Sequence, residues 1–160
     1  MVKNEQVAII IRPMAHGDIQ AVFAIEVDTF TDSWPREAFA QWLGEDWAVN
    51  LVALDEDRIV GYLCAVGQED ELHVHNIAVT RNYRGRGVGR LLLAQAESWG
   101  RKSQKLCAIL DVRESNVNAI SFYQTSGYEM IGRRKEYYDH PPENALVFMK
   151  ILCDGLTKPD

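Results

Sequence analysis

Apolar positions along the chain change period several times, and each change marks an element. VAIIIRP, from Val7 to Pro13, is a β-branched run closed by proline and reads as a strand. Asp18 then precedes Ile19, Val22, Phe23, Val27 and Phe30 at helical spacing, so a capped helix follows. SWPREAFAQWL offers Ser33 as N-cap, a proline near the first turn, Glu37 close behind, and a stripe of Phe39, Trp42 and Leu43. It predicts a second helix. WAVNLVALDEDRIVGYLCAVG and ELHVHNIAVT hold three strand-like runs, the first two joined by the turn-prone Asp55 to Arg58, and read as an antiparallel meander. From Gly87 the period becomes helical, with Val88, Leu91, Leu92 and Ala96 on one stripe and Gly100 as its stop. Leu106 to Val112 is again a strand. SNVNAISFYQTSG is a helix capped by Ser115 or Asn116, with Ala119, Ile120 and Tyr123 on one face and Gly127 at its end. YEMIGRRKEYY and NALVFMKIL are the last two strands. The order β-α-α-β-β-β-α-β-α-β-β predicts an α/β protein with a mixed, mostly antiparallel sheet flanked by helices.

Composition narrows the picture without changing it. With 160 residues, 47% hydrophobic and 25% charged, a single soluble domain is expected over 1–160, its core at about 7–151. No apolar run is long enough to span a bilayer and the start of the chain does not resemble a secretory signal, so no membrane partner and a cytoplasmic location are expected. Cys64, Cys107 and Cys153 are far apart and lack metal-ligand spacing, so buried reduced thiols are expected and no metal. A net charge of -6 argues against nucleic acid as a partner, which leaves Arg81, Arg84, Arg86 and Arg90 to serve a local anion.

These arginines interleave with Gly85, Gly87 and Gly89 where a strand gives way to a helix. Backbone N–H groups at such a junction have no partners and sit at the positive end of the helix dipole, so phosphate is the natural ligand. The dinucleotide fingerprint G-x-G-x-x-G fails because Arg90 stands where a third glycine belongs, although Asp111 lies about twenty residues on, where that fingerprint wants an acid. A Walker loop fails for want of Lys-Ser or Lys-Thr, and a plain tight turn on a basic face is the remaining alternative.

Arg84-x-x-Gly87-x-Gly89, entered through NIAVTRNYRG, resembles the acyl-CoA signature of the GCN5-related N-acetyltransferases, the GNAT family, and the order of elements matches too. LDVRESNVNAISFY, FTDSWPREAF, RRKEYY and PPENALVFMK are similar to stretches of its RimI-type branch, which acetylates protein N-termini, including a ribosomal protein at alanine. The resemblance implies acetyl-CoA as cosubstrate, with Ile77, Ala78 and Val79 holding the pantetheine arm. It places the pyrophosphate in the loop Arg84, Gly85, Arg86, Gly87, Val88, Gly89 and Arg90, and Asn116 and Ala119 against the same cosubstrate. It implies Tyr123 as general acid, and Phe30, Trp34, Tyr137 and Tyr138 on the acceptor side. The expected function is acetyl transfer to a protein N-terminal amine, ribosomal alanine foremost. A small-amine or lysine acetyltransferase and a non-catalytic CoA-binding module are the alternatives.

The base is where the chain departs from the branch, which has glutamate at the place of Asp111. Asp111 is one methylene shorter and would reach an amine through water. His75 ranks second as base, beside His73 on one strand face and with an ordinary pKa near 6.5. Glu26 interrupts the first helix's apolar stripe; a carboxylate reaching solvent at the helix edge is expected, with a substrate ammonium as the alternative. At pH 7 neutralising an α-amine costs about 1–1.4 kcal/mol against roughly 4.6 kcal/mol for lysine, so a weak base suits an N-terminus best.

Overall fold

The computed structural model describes residues 8–153. Val7, where the first strand is expected to begin, and the ends of the expected 1–160 domain lie outside them. Strand β1 (Ile9–Pro13) leads through a 3-10 turn into α1 (Ile19–Thr29), and β2 (Ala48–Asp55), β3 (Arg58–Gln68) and β4 (Glu71–Val79) form the meander. Then come α2 (Val88–Lys102), β5 (Cys107–Arg113), α3 (Val117–Thr125), β6 (Glu129–Asp139) and β7 (Pro142–Ile151). The seven strands make one sheet in the order β1-β2-β3-β4-β5-β7-β6. Only β4 and β5 run parallel.

Two cores lie on opposite faces of this sheet. Under α2 and α3, Leu63, Leu72, Leu92, Leu93, Leu110 and Phe148 pack with Tyr123 and Tyr128. Under α1, Val22, Ile25 and Phe39 pack on Val52, Tyr62, Cys64 and Ala78. Alternation along β5 shows how one strand serves both sides: Ala108, Leu110 and Val112 are buried, while Ile109, Asp111 and Arg113 point to the other face.

Several local expectations are corrected. The predicted second helix is a 3-10 helix of five residues, Arg36–Ala40, preceded by Pro35, and Ser33 does not cap it. Successive bonds from Gln41 to Ala38 and from Leu43 to Ala40 keep the tighter winding until Gly44, at φ 80°, turns the chain. Asp18 does not cap α1 with its side chain; its carboxylate takes both arms of Arg12, at 2.6 and 2.9 Å, and the Ala15 N–H at the start of the preceding 3-10 turn. Val27 and Leu91 are exposed, whereas Leu93 is buried against the sheet. Gly100 does not stop α2. A Cβ there would come within 3.1 Å of Leu152 and 3.3 Å of Leu72, so the glycine lets the helix lie close on the sheet. The stop falls at Gln104, in the left-handed region at φ 61°, with Lys105 N–H bonding the Gly100 carbonyl and Gln104 N–H that of Arg101.

Candidate active site

The one parallel pair in the sheet comes apart. β4 and β5 are in register only at Glu71 to His73 against Cys107 to Ile109, yet β4 continues to Val79 and β5 to Arg113. The cause lies in β4: Val74 faces Ala65 and Asn76 faces Cys64, which leaves His75 as a bulged residue. A bulge bends its strand and ends pairing on the far side. Beyond it the edge of β4 through Ile77, Ala78 and Val79 has no strand partner on the β5 side among the described residues, and its backbone groups face the cleft so formed.

At one mouth of the cleft lies the glycine loop. Gly87 adopts φ 83° and forms the N-cap of α2, and Gly85 adopts φ 75°. A Cβ at either would meet nothing within 4 Å, so the space over the helix N-terminus is open to a ligand. The N–H groups of the first turn of a 15-residue helix point there. Val88 is buried in the core and offers the ligand only its backbone. Gly89 serves a different end, because a Cβ there would stand 3.1 Å from the Phe122 ring and hold α3 off α2. Arg84 donates from Nε to the Val79 carbonyl at 2.9 Å, tying the loop to the end of β4. Arg86 lies 5.3 Å over the Tyr83 ring, and the Tyr83 hydroxyl donates to Asp55, the last residue of β2. Arg90 reaches back to the Thr125 carbonyl at 3.3 Å. The open glycines, the helix end and the three arginines fit a pyrophosphate.

The other side of the cleft is polar and aromatic. Asp111 accepts from Arg134 Nε at 3.0 Å, and the Arg134 guanidinium lies 5.9 Å over Tyr137. Tyr137 is exposed and meets Tyr138 edge-on at 5.0 Å; Arg113 covers Tyr138 at 4.2 Å. Burial pushes the Tyr138 phenol up to about 12, with the Asp111 charge adding to the effect. His75 packs against Trp42 at 5.2 Å and Trp34 at 6.4 Å, with an edge open to solvent, and stacks on His73 at 6.2 Å. His73 in turn bonds Glu71 at 2.7 Å. Desolvation, and secondarily the neighbouring His73, hold the His75 imidazole below its ordinary pKa; Asp111 opposes them. The sequence-predicted Asp111, His75, Trp34, Tyr137 and Tyr138 thus line one region. Phe30 is half-buried and packs into the core under α1.

Tyr123 comes from the opposite face of the sheet. Asn116 accepts the Ala119 N–H at 3.1 Å and caps α3, so its side-chain oxygen holds the helix start; Ala119 is half-buried against the main core. The Tyr123 ring is 8% exposed, wedged between Tyr128 at 5.9 Å and Phe148 at 6.4 Å, and burial raises its pKa. Its phenol therefore stays protonated at neutral pH.

Glu26 overturns an expectation. It does not reach solvent: it is 1% exposed, and its carboxylate accepts from the Trp34 N–H at 3.0 Å, from Asn76 Nδ2 at 3.0 and 2.9 Å, and from the Tyr62 hydroxyl. Sequence reasoning also passed over Arg134 and the Tyr83–Asp55 pair. The one signal for Glu26 was a charge set in an apolar stripe.

A phosphate cradle at one end of a parted strand pair, with titratable groups waiting at the other, defines a transferase that draws its group from a carrier bearing a pyrophosphate. The chain belongs to the acetyltransferase (GNAT) family, whose model matches residues 19–128. It is an acetyl-CoA-dependent N-acetyltransferase. It is 30% identical over 138 residues to the [ribosomal protein bS18]-alanine N-acetyltransferase of Haemophilus influenzae, covering 84% of this chain and 93% of that protein. It is 30% identical over 131 residues to the N-alpha-acetyltransferase RimI of Mycobacterium tuberculosis, covering 78% and 81%. Among solved structures, the ribosomal-protein-S18-alanine N-acetyltransferase of Escherichia coli superposes with a TM-score of 0.82 at 25% identity, over 94% of this chain and all of that one.

Proposed function

We propose that the protein acetylates the α-amine of a protein N-terminus, and that a ribosomal protein beginning with alanine is its acceptor. The observation that carries this reading is a titratable wall on the acceptor side, where His75 packs on Trp42 and Trp34 and Asp111 is held by Arg134. Relatives named for ribosomal-protein alanine acetylation support the choice of acceptor.

The chain's residues divide the work. The Gly85–Gly87 turn and the first turn of α2 hold the pyrophosphate, and the free edge of β4 at Ile77 to Val79 aligns the acyl arm in the cleft. When bound, acetyl-CoA supplies the activated thioester carbonyl. Asp111, clamped by Arg134, draws the incoming ammonium toward the cleft. His75 takes its proton. As free groups an α-ammonium has a pKa of about 7.7–8.0, histidine about 6.5 and aspartate about 3.9, so transfer to imidazole is about 3.5 kcal/mol less uphill than transfer to carboxylate, a lead that the lowered pKa of His75 narrows. The ion pair with Arg134 occupies Asp111 further, and the order of the two candidate bases is reversed on that ground. His75 is exposed at its edge and gives the proton up to water. With the thioester in place, His75, its first proton given up to solvent, would take the second proton from the attacking nitrogen as the amide forms, and Tyr123 would give its proton to the sulfur as the carbon–sulfur bond breaks and recover one from solvent.

Intact-mass and N-terminal peptide mass spectrometry of small-subunit ribosomal proteins incubated with the enzyme and acetyl-CoA tests the reading. One added acetyl on the N-terminal peptide of an alanine-starting protein is expected. Acetyl found only on lysines would overturn it.

A further inference from the structure

Glu26 is the one fully buried carboxylate among the described residues that has no cationic partner within ion-pair distance. Four donor contacts surround it from three separate places in the chain. Oε1 takes the Trp34 N–H and one contact of Asn76; Oε2 takes the Tyr62 hydroxyl and the other. Such a group is satisfied by neutral donors alone, and removing any acceptor site strands a buried donor. The partners are not scattered through the core. Trp34 lies beyond α1, and its ring touches His75; Asn76 follows His75 directly, on the strand whose bulge opens the cleft. One carboxylate therefore fastens the segment carrying Trp34 to β4 at the bulge.

We propose that Glu26 is a positioning residue for the acceptor amine: it sets the spacing between Trp34 and His75 without touching substrate. This rests on the reading of the cleft as an amine-acceptor site. Neither oxygen is free for an ammonium, so Glu26 acts only through the two walls it joins. The glycine loop and α2 lie on the other face of the sheet, so the grip on the cosubstrate's pyrophosphate end does not pass through Glu26.

Two readouts separate positioning from general support of the fold. Glu26→Gln keeps the shape of the side chain but leaves one oxygen to serve donors that two oxygens served. The acceptor-peptide KM should rise roughly tenfold while the dissociation constant of acetyl-CoA stays within about twofold. In hydrogen exchange, amides of residues 30–35 should lose protection while those of α2 do not. Pairing Glu26→Gln with Asn76→Asp moves the carboxylate across to β4 and should recover part of both losses. Tyr62→Phe removes one donor and leaves the Trp34 and Asn76 bonds; it should give a smaller effect of the same sign, and it decides the matter should Glu26→Gln fail to fold. Unchanged acceptor KM with unchanged exchange at 30–35, or an acetyl-CoA constant weakened as much as the acceptor's, would overturn the proposal. A wild-type enzyme that binds acetyl-CoA but acetylates no peptide would instead overturn the acceptor reading, and exchange at 30–35 would then decide on Glu26 alone.

Discussion

Asp111 and His75 face the same cleft but are differently occupied. Arg134 already holds the carboxylate at 3.0 Å, whereas the imidazole has aromatic rings against it and no ion pair. His75→Gln should therefore lower kcat by roughly a hundredfold, while Asp111→Asn should act mainly by raising the acceptor KM about tenfold. The sign of the pH dependence follows from burial. The His75 pKa is depressed from 6.5, so the neutral base is present above that value and kcat/KM falls only as pH drops through the depressed pKa. The same shift makes the unfolded chain bind the proton more readily, so the contribution of His75 to stability is present above about pH 6.5 and is lost as pH falls below it. A pH–rate profile of wild type and His75→Gln checks this: the variant should lack the acid limb. Tyr123→Phe preserves the packing on Tyr128 and Phe148 and removes only the hydroxyl, so turnover should drop by about a hundredfold with CoA binding intact by calorimetry. Unchanged single-turnover rates would return Tyr123 to the core.

The three glycines of the loop look equivalent in sequence and are not equivalent in the element they build. Gly87 caps α2 with a left-handed backbone under open space, and Gly89 sits within the helix against Phe122. Gly87→Glu should weaken CoA binding by tenfold or more, because it sets a negative side chain at the anion site and strains the backbone by about 1–2 kcal/mol. Gly89→Ala should instead cost about 1–3 kcal/mol of stability through overpacking, with a CoA affinity close to wild type in the folded fraction. Thermal unfolding and calorimetry on the two variants separate the roles. The loop's outer end depends on the end of β2 as well, since Tyr83, which carries Arg86 on its ring, is held by Asp55.

At the scale of the molecule, periodicity made the strand and helix order legible from the chain alone, because most elements bury one face against one core. It misled at 36–43, where Phe39 is buried but Trp34 and Trp42 pack on each other and on His75, so one 3-10 turn satisfies a stripe that reads as a helix. The glycine loop was legible because its chemistry is local in sequence. Glu26 was not: its partners Tyr62 and Asn76 lie 36 and 50 residues away, and a lone acid on an amphipathic helix carries no mark of what it will meet. Arg134, 23 residues from Asp111, was hidden for the same reason. The whole arrangement, a glycine cradle on one side of the sheet and an imidazole packed on two indoles on the other, underlies the proposal that the protein acetylates an α-amine. The most direct test is a competition between two peptides of the same sequence in one tube with acetyl-CoA, one with a free N-terminal alanine and an internal lysine, the other with its N-terminus blocked and the lysine free. The account predicts acetyl on the α-amine of the first peptide and little on either lysine; preferential acetylation of the lysine in the blocked peptide would contradict it.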